Sequence, residues 1–241
     1  MDRARPPAAP TLGIDLAAQP RTTASCEIDW VTGEVTCATR LTDEALLRAA
    51  RGVLDADGIV AIDAPFGWPA PFVEAVGRHH AGGRFGAASG RALRLRTTDQ
   101  LIPGRPPLSV SADRIAVVAF RAARLLDALG PVRRDGSDRI MEVYPAAALR
   151  RWGLQLPHYK VNRDARGRIV AAISAALPSL TGQWAAPCRA SADALDALVA
   201  ALVGRAKQLG LVDALPPEHI GVALIEGWIW LPQADALPHL R

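Results

Sequence analysis

Apolar positions along the chain fall into short unbroken runs and longer stretches with helical spacing. Residues 12–17 and 58–62 are runs of the first kind and read as strands buried on both faces. Residues 26–31 and 34–39 flank Thr32-Gly33 and read as a β-hairpin. Residues 139–144 form a third buried-strand candidate, ended by Pro145. Thr42 is placed to cap a helix with Ala45, Leu46, Ala49, Ala50, Val53 and Leu54 on one side. Residues 111–129 put Ile115, Val118, Ala122, Leu125, Leu126 and Leu129 on one stripe and stop at Gly130-Pro131. Further helices are predicted at 72–77, 146–152, 168–176 and 192–209, the last capped by Ser191 and ended by Gly210. Residues 220–231 read as a last strand or as a helix followed by a strand. Residues 65–110 and 178–190 lack periodicity, and so long a segment as the first marks a functional excursion or an insertion. The order of elements predicts one α/β domain over 11–241, behind a Pro- and Ala-rich tail at 1–10 expected to be disordered.

Acidic residues interrupt this pattern where the chain should be burying itself. Asp15 and Asp63 end the first two apolar runs, and Asp193 and Asp196 open the apolar helix at 192–209. An Asp after a strand is often only a turn former, and two acids in a first helical turn are often solvated or favoured by the helix dipole. Two features weigh against that plainer reading of the pair. Leu195, Leu198, Leu202 and Leu209 gather on one side of the helix, and the face that continues from the acids holds Ala197, Ala200 and Gly204, which suits close packing rather than solvent. The i+4 partners of the acids are Ala197 and Ala200, so no helical ion pair accounts for them. If strands 12–17 and 58–62 are parallel neighbours, Asp15 and Asp63 meet at the carboxyl edge of the sheet, where ligands bind, and Glu142 can join them. Clustered carboxylates repel and call for a divalent cation; hard oxygen donors favour Mg²⁺ or Mn²⁺. Two such ions about 4 Å apart would activate a water and stabilise the leaving oxygen of a phosphodiester.

Composition narrows the setting. Half of the 241 residues are hydrophobic, enough for a sizeable core, while aromatics are only 5%. The net charge of +4 is compatible with a polyanionic partner but too weak to argue for nucleic acid by itself. No apolar stretch is long enough to span a bilayer, and residues 1–10 lack the apolar core of a signal peptide, so no membrane partner and a cytoplasmic location are expected. Cys26, Cys37 and Cys188 form no CxxC pair, which argues against zinc; Cys26 and Cys37 can approach across the hairpin, but free cytosolic thiols are the expected state.

The strand order and the acids resemble the RNase H-like fold, and the Asp–acid–AspxxAsp pattern is similar to that of RuvC-type junction resolvases. A fuller resemblance is to the family catalogued as domain of unknown function 429, predicted nucleases of this fold. It rests on Gly13-Ile-Asp-Leu-Ala17, Ile62-Asp-Ala-Pro65, Arg96-Thr-Thr-Asp99, Pro107-Leu-Ser-Val-Ser111, Glu142-Val-Tyr-Pro145, Tyr159-Lys160 and Asp193-Ala-Leu-Asp-Ala197, over about residues 11–232. The resemblance implies a mixed five-stranded sheet in the order 3-2-1-4-5 flanked by helices. It implies Asp15, Asp63, Asp193 and Asp196 as metal ligands, with Glu142 matching a family motif but not an obligatory ligand of the broader fold.

Other residues have two readings each. Arg94, Arg96 and Asp99, with Arg84 and Arg91, form a basic loop that meets phosphates, or are ordinary solvated side chains. Lys160 steadies a scissile phosphate or is a surface lysine. His79-His80 has no third ligand at helical spacing. Trp228 and Trp230 read mainly as core, with base stacking as the alternative. Glu226, among apolar residues, bonds a backbone or approaches the metal site. The leading expectation is a metal-dependent nuclease, catalytic through Asp15, Asp63, Asp193, Asp196 and Glu142 and binding substrate through Arg94, Arg96, Asp99 and Lys160. The alternatives are a non-catalytic RNase H-fold scaffold and an actin-like phosphotransferase, the second opposed by the lack of a Gly-rich loop after Asp15. A junction resolvase would need a dimer, so a homodimer stands among the candidate partners beside nucleic acid.

Overall fold

Six strands form one mixed sheet in this computed structural model, which describes residues 8–104 and 106–241. The expected tail at 1–10 falls outside the described residues up to residue 7, as does Arg105. The strands are β1 (Thr11–Asp15), β2 (Ala24–Ile28), β3 (Val35–Thr39), β4 (Ile59–Asp63), β5 (Ile140–Val143) and β6 (Ile229–Trp230), in the order β3-β2-β1-β4-β5-β6. β1 pairs antiparallel with β2 and β2 with β3, whereas β1–β4, β4–β5 and β5–β6 are parallel. The expected order 3-2-1-4-5 is present and is extended by β6, which is two residues long. Of the two readings of residues 220–231, the helix followed by a strand is the one found, with β6 as that strand.

Helices cover both faces. The described residues place α1 (Asp43–Asp55), α2 (Ala70–His80), α3 (Gly90–Arg94), α4 (Thr97–Leu101), α5 (Ala116–Leu129), α6 (Pro145–Arg151), α7 (Arg163–Ala176), α8 (Ala185–Ala190), α9 (Ala192–Gln208) and α10 (Ile220–Glu226). The alternation of strand side chains divides the core in two. Leu12, Ile14, Val60 and Ile62 pack with Leu46 and Val53 of α1 and Leu125 of α5. Cys26, Ala61, Met141 and Val143 face the other way, toward α9 and the helices behind it, through Leu149, Ile169 and Cys188. Because α9 is covered on both sides, every residue from 194 to 206 is buried, including Asp196 and Arg205.

Several boundaries differ from expectation for local reasons. α5 starts at Ala116 rather than near 111, because Ser109 and Ser111 donate their hydroxyls to the Arg94 and Leu93 carbonyls (2.6 and 2.7 Å) and hold a turn there. α7 starts at Arg163, where Asn162 accepts from the Asp164 and Ala165 amides (2.9 and 3.1 Å). α3, α4 and the full length of α2 lie in the segment expected to be irregular. The cysteines are a correction. Cys26 and Cys37 are register partners with Cα atoms 4.2 Å apart and are joined in a disulfide, leaving Cys188 as the free, buried cysteine. No helix among the described residues is long and apolar enough to cross a membrane.

Gly13 sets the distance between sheet and helix. A Cβ at this position would run into the Ala197 carbonyl oxygen and the Ala201 amide of α9. Lower down the same face, a Cβ added at Gly204 would meet Ile59, Ala61 and Thr11 at 3.4–3.6 Å, which is ordinary contact. Gly13→Ala is expected to lower the unfolding free energy by about 1–3 kcal/mol or more, since backbone must move rather than a side chain. Urea titration of the two proteins checks this, and an unchanged midpoint would refute it.

Candidate functional site

Strand periodicity and register bring the first two acids together. Asp15 lies two residues beyond Gly13 and Asp63 two beyond Ala61, so both face α9. They are also direct register partners across the parallel β1–β4 pair, at the carboxyl ends of both strands. Ser191 caps α9 by accepting from the Asp193 and Ala194 amides (3.1 and 3.3 Å). Asp196 follows one turn later, next to the residue whose carbonyl abuts Gly13, and is 0% exposed. The outcome is a group of three: carboxylate oxygens of Asp15, Asp63 and Asp196 all lie within 4.8 Å of one another. Asp193 is not in that group; it is partly exposed at the first turn of α9.

Asp196 is held from both sides. The Tyr159 hydroxyl donates to Oδ1 at 3.0 Å, and the Lys160 ammonium forms an ion pair with Oδ2. Tyr159 and Lys160 sit in the loop between α6 and α7, and Arg166 fixes that loop. Its guanidinium donates to the Tyr159 and Lys160 carbonyls (2.9 and 3.3 Å) and to the Arg189 and Ala190 carbonyls at the end of α8 (2.9 and 3.1 Å). No donor among the described residues hydrogen-bonds to the Asp15 or Asp63 carboxylate.

The electrostatics follow from burial and crowding. Burial, then the charges of Asp196 and Asp63, hold the Asp15 carboxyl well above the ordinary carboxylate range. Burial pushes Asp63 up to about 7, with Asp196 and Glu142 adding to it and Lys160 opposing. Asp196 is raised by burial against the pull of Lys160 and Tyr159, and Asp193 is raised by burial with Lys160 opposing. Burial disfavours the Lys160 ammonium, but Asp196, Asp63 and Asp15 outweigh it and raise the lysine. The group is short of positive charge. Hard oxygen donors, no competing hydrogen bonds on two of the three acids and mutual repulsion fit a divalent cation held by Asp15, Asp63 and Asp196.

Asp15 and Asp63, with Lys160, lie on the wall of a cavity of about 330 Å³, and Asp196 is buried behind it. Its other walls are mainly apolar, among them Leu16, Pro65, Leu108, Val118 and Tyr144. The chain matches, over residues 13–219, the model of a family described as "Protein of unknown function (DUF429)". It belongs to this family. No curated protein and no solved structure matches it. The match takes in Gly13, all three grouped acids and Lys160, and ends before Glu226 and β6.

Among the remaining candidate residues of this DUF429 protein, Arg96 and Asp99 are buried, whereas Arg94 is exposed. Arg96 is 2% exposed, and all five of its guanidinium hydrogens have acceptors. Nε and Nη2 bond Asp99 (3.1 and 2.8 Å), Nη1 and Nη2 bond Glu142 (2.8 and 2.6 Å), and Nη1 also bonds the Glu226 carbonyl (3.1 Å). Glu142 accepts the Phe66 amide as well (2.9 Å), so both its oxygens are engaged; it is outside the group of three acids but lines the same cavity. Gly227, at φ 87°, is needed beside them, because a Cβ there would sit 2.8 Å from Glu142 and 3.1 Å from Arg96. Arg96 and Asp99 belong to a buried ion network that ties the 65–110 segment to β5, and every guanidinium hydrogen of Arg96 is engaged in it. Arg94 is exposed, as are Arg84 and Arg91. His79 and His80 are exposed at the end of α2, outside any metal-ligating group among the described residues. Trp228 is buried and stacks on His219.

Three residues matter more than the sequence indicates. Tyr159 and Arg166 orient Lys160 and Asp196; a Tyr next to a candidate Lys was the available signal for the first, and nothing marks the second. Glu226, 3% exposed, accepts the Ala70 amide at the start of α2 and the Thr97 amide at the start of α4 (2.7 Å each). It bonds backbone and is not part of the acid group.

Two outcomes test this description. Arg96→Met leaves Asp99 and Glu142 buried without their cation and is expected to cost about 3–5 kcal/mol of stability in urea titration; a loss under about 1 kcal/mol would remove Arg96 from the structural role. Raised carboxyls bind protons more tightly folded than unfolded, so their stabilising contribution is complete below the ordinary value of 3.8 and is lost as pH rises through the folded value, about 7 for Asp63. Without divalent ions, the wild type should therefore lose stability relative to Asp63→Asn between about pH 4 and 7. A stability difference independent of pH would contradict the crowding of these acids.

Proposed function

We propose that this protein is a divalent-cation-dependent nuclease of the RNase H-like fold, hydrolysing phosphodiesters with Asp15, Asp63 and Asp196 as its cation ligands. One observation carries the reading: the three carboxylates converge to within 4.8 Å at the carboxyl edge of parallel strands, with Asp15 and Asp63 on the wall of an open cavity and Asp196 buried behind them. Support for the fold comes from the 3-2-1-4-5 part of the sheet with its antiparallel hairpin, and from the acid-bearing α9 laid across it. Mg²⁺ or Mn²⁺, when bound, supplies Lewis-acid stabilisation of a phosphoryl oxygen and a more acidic water.

The chain's own residues do the rest. Asp15 and Asp63 present carboxylate oxygens without protein donors on them. Tyr159 and Lys160 hold Asp196 in one orientation, so the third ligand costs little ordering on binding. The Lys160 side chain is 54% exposed while its ammonium stays on the buried Asp196, which places a fixed positive charge where an anionic substrate would arrive. The apolar cavity walls limit water around the acids and strengthen their interactions with charge. Exposed Arg84, Arg91 and Arg94 offer a local basic surface for a polyanion, in keeping with the modest overall charge of +4. A scaffold that had lost activity would have no reason to keep three repelling carboxylates together.

Mn²⁺ or Mg²⁺ is expected to raise the melting temperature of the wild type with concentration and to leave Asp63→Asn unmoved. Cleavage of single-stranded and duplex DNA and RNA should be lost in both Asp15→Asn and Asp63→Asn, with far-UV circular dichroism unchanged. Cleavage at wild-type rate in either variant would sink the proposal.

A further inference from the structure

Charge counting at the same site says how many ions it takes. The ionised carboxylates of Asp15, Asp63 and Asp196 bring three negative charges, and Lys160, in contact with Asp196, brings one positive charge. The remainder is two negative charges, which one divalent ion neutralises. A second ion would leave the centre two charges positive, or would have to displace the ammonium from a carboxylate that is 0% exposed and already bonded by Tyr159. Both routes are costly where solvent screening is weak. The fourth acid that a pair of ions would draw on, Asp193, is not in the group. Asp196 has a donor on each oxygen, whereas Asp15 and Asp63 have none among the described residues.

We propose that Lys160 is the built-in second cation of this centre, so that one divalent ion binds, held chiefly by Asp15 and Asp63, while the Lys160 ammonium stays on Asp196. This rests on the cation-dependent reading above and replaces the two-ion arrangement expected from sequence. Lys160 is a positioning residue here. It fixes the charge and orientation of Asp196, and its fixed charge is available to an oxygen of the substrate.

Mn²⁺ binding measured on the metal-free full chain by equilibrium dialysis and electron paramagnetic resonance separates the possibilities. The wild type should bind one Mn²⁺ per chain at this centre, with no signal from a coupled pair of ions. Lys160→Met restores the third negative charge and should either bind a second, spin-coupled Mn²⁺ or hold the first about tenfold or more tightly. Lys160→Arg should keep the wild-type stoichiometry. With its side chain half exposed, Lys160→Met is expected to fold, and near-UV circular dichroism verifies it. Two coupled Mn²⁺ in the wild type, or a Lys160→Met protein with unchanged stoichiometry and affinity, would overturn the inference and leave the cation-dependent reading standing. A folded wild type that binds no Mn²⁺ would remove that reading, and this one with it.

Discussion

The contact between α9 and β1 at Gly13 is the constraint on which the site depends. A helix normally rests on a sheet through interdigitated side chains, which keeps the backbones apart. Here the helix backbone lies where a Cβ of β1 would be, and Ala197, Ala200, Ala201 and Gly204 keep the rest of that face thin. Asp196 leaves the helix beside this point of closest approach. A short side chain can therefore reach the strand ends, and an Asp serves where a longer acid would otherwise be needed. The same register that makes Gly13 necessary places Asp15 two residues on, facing the helix. The Gly-x-Asp spacing is thus one structural statement: the glycine admits the helix that brings the third acid to the first.

Two ion systems lie near one another in the same structure and differ in their completeness. Around Arg96 every donor has an acceptor and the carboxylates of Asp99 and Glu142 are fully engaged. Around Asp15 and Asp63 there is an excess of acceptors and a single nearby ammonium. The first arrangement is what a structural network looks like, since a half-satisfied one would be worse than an apolar core. It holds the long excursion against β5, and with Glu226 it fixes the starts of α2 and α4. The second arrangement is not explained by structure, because nothing in the fold gains from it. The two are also coupled: Glu142, though neutralised in part by Arg96, still contributes to the raised Asp63. The saturated network thus adds to the cation deficit of its neighbour.

Much of this was legible in the chain. Apolar runs ended by Asp15 and Asp63 give the strand edge, and the small face of α9 announces close packing. Parallel pairing of the two strands was a condition of that reading, and the structure meets it with Asp15 and Asp63 in direct register. What could not be read was which acids point where. Glu142, Arg96 and Asp99 sit in motifs as distinctive as those of the grouped acids, but a motif names residues and not contacts. Arg96 and Glu142 are 46 positions apart, and Glu142 looks like a ligand until the arginine that saturates it is in view. Asp193 and Asp196 share one helix, yet only Asp196 lies a full turn in, where α9 passes over the strand ends. The disulfide had a different obstacle. Its two cysteines are opposite only in one hairpin register, and composition alone favoured free thiols.

On the proposed function, proton and cation would compete for the same oxygens at this centre. With burial and neighbouring charge raising Asp63 to about 7, an ion held there would displace a proton near neutrality, and its apparent affinity would climb with pH. The protein therefore has two ways of relieving the crowding of its acids, and only one of them generates a charged ligand set. Lys160 lies between these alternatives. By opposing the effect of burial on Asp196 it favours the carboxylate form there, and Tyr159 bonds the other oxygen of the same group. The cost of a buried acid cluster is thereby limited without being abolished. A fold selected for stability alone would place aliphatic side chains at these positions, and the unrelieved remainder is what the proposed cation would neutralise.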